Sequence, residues 1–141
     1  MKYKITYIID EKRDIVANLF VDRKHMKSWE VGLQEIEDIK GVLFETGSDG
    51  HLIFDFQGNQ MKMKVYVESN QLPKEIVIIY QVAGAWNRCG NTFKSVNGKT
   101  EWTMDVEFRF NEPQNIGLEK FIEKTSKGME IFRDYVESLR D

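Results

Sequence analysis

The side chains best suited to chemistry are few and widely separated along the sequence. The chain contains two histidines, His25 and His51, and a single cysteine, Cys89. Neither histidine has a second ligand at a helical or Cys-x-x-Cys spacing, so we expect no metal site. A nucleophilic thiolate would need a histidine beside Cys89, but the strand pattern directs this thiol into apolar surroundings, where thiols are usually inert.

Other signatures of catalysis are equally sparse. The sequence lacks a GxGxxG or Walker motif and the paired Cys and His ligands of a Rieske centre, so we expect no cofactor. His51 lies at the start of a predicted strand, where it is either a general base at a cavity mouth or a solvated strand-end residue. Asp105 and Glu107 are spaced like a carboxylate pair, but both fall on the outer face of their strand. We expect Glu107 to pair there with Arg88.

The composition indicates a globular chain of ordinary domain size. It has 141 residues, of which 41% are hydrophobic and 30% charged, and we predict one domain over residues 1–141. The net charge of -3 argues against nucleic-acid binding. No apolar run reaches the ~18 residues of a membrane span, and the first residues lack a signal-peptide pattern. We therefore expect a cytoplasmic protein without stable membrane association, and the sequence leaves its oligomeric state open.

Changes in hydrophobic period outline the elements. Alternation over YKITYII predicts a first strand. Asp10 is a candidate N-cap for a short helix with Ile15 and Phe20 on its apolar stripe. Asp22 is a candidate N-cap for a second short helix, which carries Trp29. Further strands are predicted at about 33–40, 43–47, 51–57, 61–68, 75–83, 87–96 and 99–110, followed by a long helix at about 116–139.

One hairpin can be aligned from the sequence alone. Asn97-Gly98 is a strong signal for a two-residue type I′ turn. If these residues form the loop, Lys94 faces Glu101 and the other pairs follow. The register then places Asn87, Cys89, Asn91 and Phe93 on the same face as Trp102, Met104, Val106 and Phe108. Trp86 and Arg109 meet on the other face, as a cation–π pair.

Two asparagines therefore point toward an apolar side of the sheet. A buried amide without partners costs roughly 1–3 kcal/mol. Either Asn87 and Asn91 bond locally, or they border a cavity that holds water or a ligand. The adjoining predicted strands add Phe54, Met63 and Tyr80 to this face, where they serve a pliable pocket or simply fill a core.

The order of elements resembles a known architecture. One strand, two short helices, a run of antiparallel strands and a long final helix resemble the START/Bet v 1-like superfamily, also called SRPBCC. Phe20-Val21-Asp22 with Trp29 is similar to its entry helices. The run GAWNRCGNTFKSVNGKTEWTMDVEFRF resembles the penultimate hairpin of bacterial members grouped with polyketide cyclase-like and Hsp90-activator-like proteins.

The resemblance implies an α+β helix-grip fold, in which a curved antiparallel sheet wraps around a long C-terminal helix and leaves a cavity between them. Gly128, in the middle of that helix, either gives room to a ligand or neighbouring strand or faces solvent. The expected cavity residues are Tyr7, Phe54, Met63, Tyr80, Asn87, Cys89, Asn91, Phe93, Trp102, Met104, Val106, Phe108, Phe121, Thr125, Met129 and Phe132.

Three functions are compatible with this fold, which has no shared catalytic motif. The first is binding, and so transport or sequestration, of a hydrophobic or amphipathic small molecule such as a lipid. The second is a cyclase- or dehydratase-type enzyme in which Tyr80, Asn91 or His51 moves a proton. The third is a module for a protein partner, similar to Hsp90 activators, with a filled core and an exposed apolar patch around Trp86.

Overall fold

The sheet has seven antiparallel strands in the spatial order β1-β7-β6-β5-β4-β3-β2. The computed structural model describes residues 1–140, so Asp141, the last residue of the predicted domain, lies outside the described residues. The strands are β1 (Lys2–Ile9), β2 (Leu33–Lys40), β3 (Asp49–Phe56), β4 (Asn59–Gln71), β5 (Glu75–Val82), β6 (Ala85–Val96) and β7 (Lys99–Phe110).

Three helices complete the fold: α1 (Arg13–Val21), α2 (Arg23–Trp29) and α3 (Leu118–Ser138). The Asp22 carboxylate accepts a hydrogen bond from the Lys24 amide at 3.0 Å, so it caps α2 as predicted. The long α3 lies over the inner face of the sheet against β1 and α2. This arrangement confirms the helix-grip fold.

The predicted hairpin register is confirmed residue by residue between β6 and β7. Lys94 pairs with Glu101, and Asn97 takes the positive φ of 52° that its turn requires. On the outer face the Arg109 guanidinium lies 4.3 Å from the centre of the Trp86 ring. The side chains of Asn87, Cys89 and Asn91 therefore project from the inner face.

The Arg88–Glu107 ion pair is a wrong prediction. The two residues are opposite in the register, but the Arg88 guanidinium binds both carboxylate oxygens of Glu68, at 2.7 and 3.0 Å. The pairing of β4 with β5 shifts between Val67 and Ser69, which makes Glu68 the extra residue of a bulge. A bulge re-aims its side chain, so Glu68 reaches Arg88. Glu107 instead contacts Arg109.

Three further expectations are wrong. The segment predicted as a strand at 43–47 forms turns, and Leu43 is buried beneath them. Asp10 does not cap α1, because its carboxylate pairs with Arg140 at 2.7 Å while Lys12 occupies the cap position. Ile15 is 44% exposed, since α1 buries a face that contains Ala17 instead.

An aromatic cluster lies between the sheet and the helices. Phe20 from α1 contacts the rings of Trp29, Phe93, Trp102 and Phe132, with centroid separations of 5.4 to 5.8 Å. The Phe132 side chain is fully buried. Three of these four pairs are edge-to-face and the pair with Trp29 is stacked, and both geometries add to the stabilisation from buried area. The cluster thus holds α1, α2 and α3 against β6 and β7.

No helix within residues 1–140 combines the length and apolar character needed to cross a membrane.

Candidate functional site

A partly enclosed cavity of about 230 Å³ lies between the inner face of the sheet and α3. This volume is slightly below the roughly 300–1,000 Å³ of most small-molecule sites. Strands β4 to β7, both short helices and α3 all contribute side chains. The lining residues are Phe20, Trp29, Glu30, Met63, Tyr80, Asn87, Cys89, Asn91, Trp102, Met104, Thr125, Gly128 and Met129.

The Asn91 side chain is oriented by Trp102. The Trp102 Nε1–H donates to Asn91 Oδ1 at 3.0 Å, and an indole nitrogen can only donate, so the amide oxygen must face the indole. The amide nitrogen Nδ2 then points elsewhere and has no hydrogen-bond partner among residues 1–140. Asn91 is 1% exposed, so this buried donor is unused at the cavity wall.

Asn87 bonds locally, as one of the two alternatives for the inward amides proposes. Its Oδ1 accepts a weak hydrogen bond from the Cys89 thiol at 3.4 Å. Burial raises the pKa of Cys89 to about 12, so the thiol stays protonated at neutral pH. Cys89 thus has the character of an inert lining residue.

Glu30 is a lining residue that sequence reasoning did not identify. It follows the last residue of α2, and its backbone N–H closes that helix on the Met26 carbonyl oxygen at 2.9 Å. Burial raises the pKa of its carboxyl group to about 7, and no ion pair or hydrogen bond counteracts this rise. Close to neutral pH, Glu30 therefore exists in both protonation states.

Tyr80 lies near this carboxyl group. Burial, followed by the charges of Cys89 and Glu30, holds the Tyr80 pKa well above its usual value. The phenol is therefore neutral and can both donate and accept a hydrogen bond. Glu30 and Tyr80 both retain some accessible surface, because they border the cavity.

Many of the predicted cavity residues lie together at the cavity. These are Met63, Tyr80, Asn87, Cys89, Asn91, Trp102, Met104, Thr125 and Met129. Their role in ligand binding stays a prediction. Phe20, Trp29, Glu30 and Gly128 line the cavity in addition. For Trp29 and Phe20 the signal was available in the sequence, since both lie on the apolar stripes of the entry helices.

The other predicted cavity residues do not line it. Tyr7 directs its hydroxyl to Ser126 and to Glu130 on α3. The remaining ones pack into two apolar clusters. They are Phe54, Phe93 and Phe132 in the main core, and Val106, Phe108 and Phe121 in a smaller cluster around Tyr3.

Neither histidine reaches the cavity. His51 contacts Glu37 at 3.1 Å and borders a separate outer groove with Lys62 and Lys64. His25 contacts the Tyr135 hydroxyl at 2.6 Å. Within residues 1–140 no cluster of His, Cys, Asp and Glu side chains has the arrangement of a metal site.

Gly128 borders the cavity and is also exposed. A Cβ atom added at this position would have no neighbour within 4 Å. Gly128 therefore meets both alternatives given for it, since it borders the cavity and also faces solvent.

Comparison of the whole fold with solved structures finds close likenesses at low sequence identity. Ara h 8.0201 has a TM-score of 0.80 at 10% identity, over 98% of each chain. A protein from Rhodobacter sphaeroides has a TM-score of 0.81 at 10% identity, over 99% of this chain and 93% of that one. DynU16, from the dynemicin biosynthetic locus, has a TM-score of 0.73 at 14% identity, over 96% of this chain and 47% of its own.

Comparisons by sequence with family models and with curated proteins give no match. The structural likenesses establish the fold: the chain has the Bet v 1-like, helix-grip fold that the order of its elements indicated. A fold of this kind does not by itself specify a function.

Proposed function

We propose that this protein binds a small hydrophobic or amphipathic molecule in the cavity between the sheet and α3. The observation that carries the proposal is the lining, which combines aromatic and methionine side chains with a few polar groups. A binding site of this kind gains affinity from apolar burial and orientation from sparse hydrogen bonds. Methionines at Met63, Met104 and Met129 let the walls adapt to a ligand's shape.

The fold supports the proposal without specifying the ligand. A neighbour in fold, DynU16, comes from a biosynthetic locus, and a polyketide-like ring system is one ligand class to test. The limited volume of about 230 Å³ favours a ligand with one or two rings over a long-chain lipid. Carriage or sequestration of such a molecule would need no catalytic group.

The three tryptophans provide an optical assay for binding. Trp29 and Trp102 line the cavity, whereas Trp86 lies on the outer face beneath Arg109. We expect 2-phenylethanol, a neutral molecule with one ring, to change the tryptophan emission in a saturable way. Titration calorimetry on the same protein gives the affinity independently.

A substitution at the cavity wall makes this test specific. Gly128→Leu adds a side chain at an open position beside the cavity, and we expect its occupation of ligand space to lower affinity about tenfold or more. Lys127→Leu is the matched control, since Lys127 is exposed on the same helix. Equal binding by the wild type and both variants would refute binding in this cavity.

A further inference from the structure

The cavity has one charged group and no counter-charge. Glu30 is the carboxylate on its wall, and the lining contains no lysine, arginine or histidine. The other titratable groups that face it are Tyr80 from β5 and Cys89 from β6, and both are neutral near pH 7. The α3 wall contributes only uncharged residues. A bound anion would therefore meet a carboxylate without any cation to offset it.

Unused hydrogen-bond donors border the same space. The Asn91 Nδ2 and Trp29 Nε1 groups are both buried, and neither has a partner among residues 1–140. The hydrogen bond from Trp102 Nε1 holds the Asn91 amide oxygen and so fixes where the free Nδ2 group points. Buried donors without partners are rare in folded proteins, and an acceptor on the ligand, away from the group that meets Glu30, would satisfy them.

From these groups we infer that the cavity selects ligands whose polar head donates hydrogen bonds to Glu30, with a cationic amine preferred to an alcohol and an alcohol preferred to a carboxylate. This inference rests on the proposed binding function and adds the chemical class of the ligand. An amine places its positive charge against Glu30 in surroundings of low dielectric, where the attraction is strong. A carboxylate head would add a second negative charge there.

The protonation of Glu30 makes this selectivity depend on pH. With a pKa of about 7, the ionised fraction of Glu30 rises from about one tenth at pH 6 to about nine tenths at pH 8, and apparent amine affinity rises about tenfold with it. The affinity of a carboxylate ligand falls over the same range. An alcohol binds both protonation states, so its affinity changes little.

Three probes that share one phenyl ring and two carbons test the inference: 2-phenylethylamine, 2-phenylethanol and phenylacetate. The amine stays cationic and phenylacetate stays anionic across this pH range, so a change in affinity with pH reports on the protonation of the protein. Binding of each is measured by calorimetry at about pH 6 and pH 8 to the wild type, Glu30→Gln and Glu123→Gln. Glu123→Gln removes the same charge from an exposed site on α3.

We expect the wild type and Glu123→Gln to bind the amine about tenfold more tightly at pH 8 than at pH 6. Glu30→Gln should lose this dependence and still bind the alcohol. If the amine and phenylacetate bind equally, or Glu30→Gln leaves amine binding unchanged, the inference is overturned while ligand binding stands. If no probe binds at either pH, the proposed function fails together with it.

Discussion

Replacing Glu30 with glutamine should stabilise the protein at high pH. A rise of the carboxyl pKa from 4.5 in the unfolded chain to about 7 in the folded one corresponds to at most about 3 kcal/mol. Because the folded state holds the proton more tightly, the unfolded state binds fewer protons between these values. The free energy of unfolding therefore falls as pH rises from about 4.5 to above 7, and glutamine, which never ionises, escapes this loss.

The assay is urea unfolding followed by tryptophan fluorescence, for the wild type and Glu30→Gln at several pH values from about 5 to 8. The titratable groups that both proteins share contribute equally to the two unfolding free energies, so their contributions cancel in the difference. We expect this difference to grow in favour of Glu30→Gln by up to about 3 kcal/mol as pH rises. Glu123→Gln should show no such trend. A difference that stays constant with pH would refute the argument that the Glu30 carboxyl is desolvated and has no ion-pair partner.

Further predictions concern the helix and the aromatic cluster. Gly128→Ala should raise the free energy of unfolding by about 1 kcal/mol, because the added Cβ meets open space and alanine favours the helix. Unfolding in urea measures this change. A loss of stability would contradict the open geometry at this position. Trp102→Phe should lower the free energy of unfolding by about 1–3 kcal/mol, because Asn91 loses its remaining side-chain partner. The double variant with Asn91→Leu should recover part of that loss. A double variant that recovers none of it would argue against the hydrogen bond between Trp102 and Asn91. Phe132→Ala should lower the free energy of unfolding by about 3–5 kcal/mol in the same assay. A decrease below about 1 kcal/mol would contradict the full burial of the Phe132 side chain.

The sequence predicts the β6–β7 hairpin well because the determinants are local. Asn97-Gly98 sets the turn, and the period of two then assigns every side chain to a face. The inward positions of Asn87 and Asn91 follow from this register alone. The helix-grip arrangement follows from the order and length of the elements, through resemblance to a known architecture.

The features that sequence reasoning missed depend on contacts between distant segments. Glu30 lies at the end of a seven-residue helix, where a glutamate is normally solvated. Glu30 is partly buried because α2 contacts both β2 and α3. Arg88 forms its ion pair with Glu68 because of a bulge in β4, and this bulge leaves no distinct pattern in the sequence.

The division between cavity and core was also beyond the sequence. Phe132 and Met129 are neighbours on α3 and share the same helical stripe, but Phe132 fills the aromatic cluster while Met129 borders open space. Periodicity identifies the inner side of a helix. It does not specify where the helix and the sheet separate.

The most direct test of ligand binding in the cavity uses the methionine methyl groups as local probes. With ¹³C-labelled methionine methyls, 2-phenylethanol should shift the NMR signals of Met63, Met104 and Met129, which line the cavity. The signal of Met26, buried elsewhere in the core, and that of Met61, two residues from Met63 in β4, should stay in place. Saturable shifts confined to the three lining methionines would support the account. Equal shifts at Met26 and Met61, or none at the lining methionines at saturating probe, would contradict it.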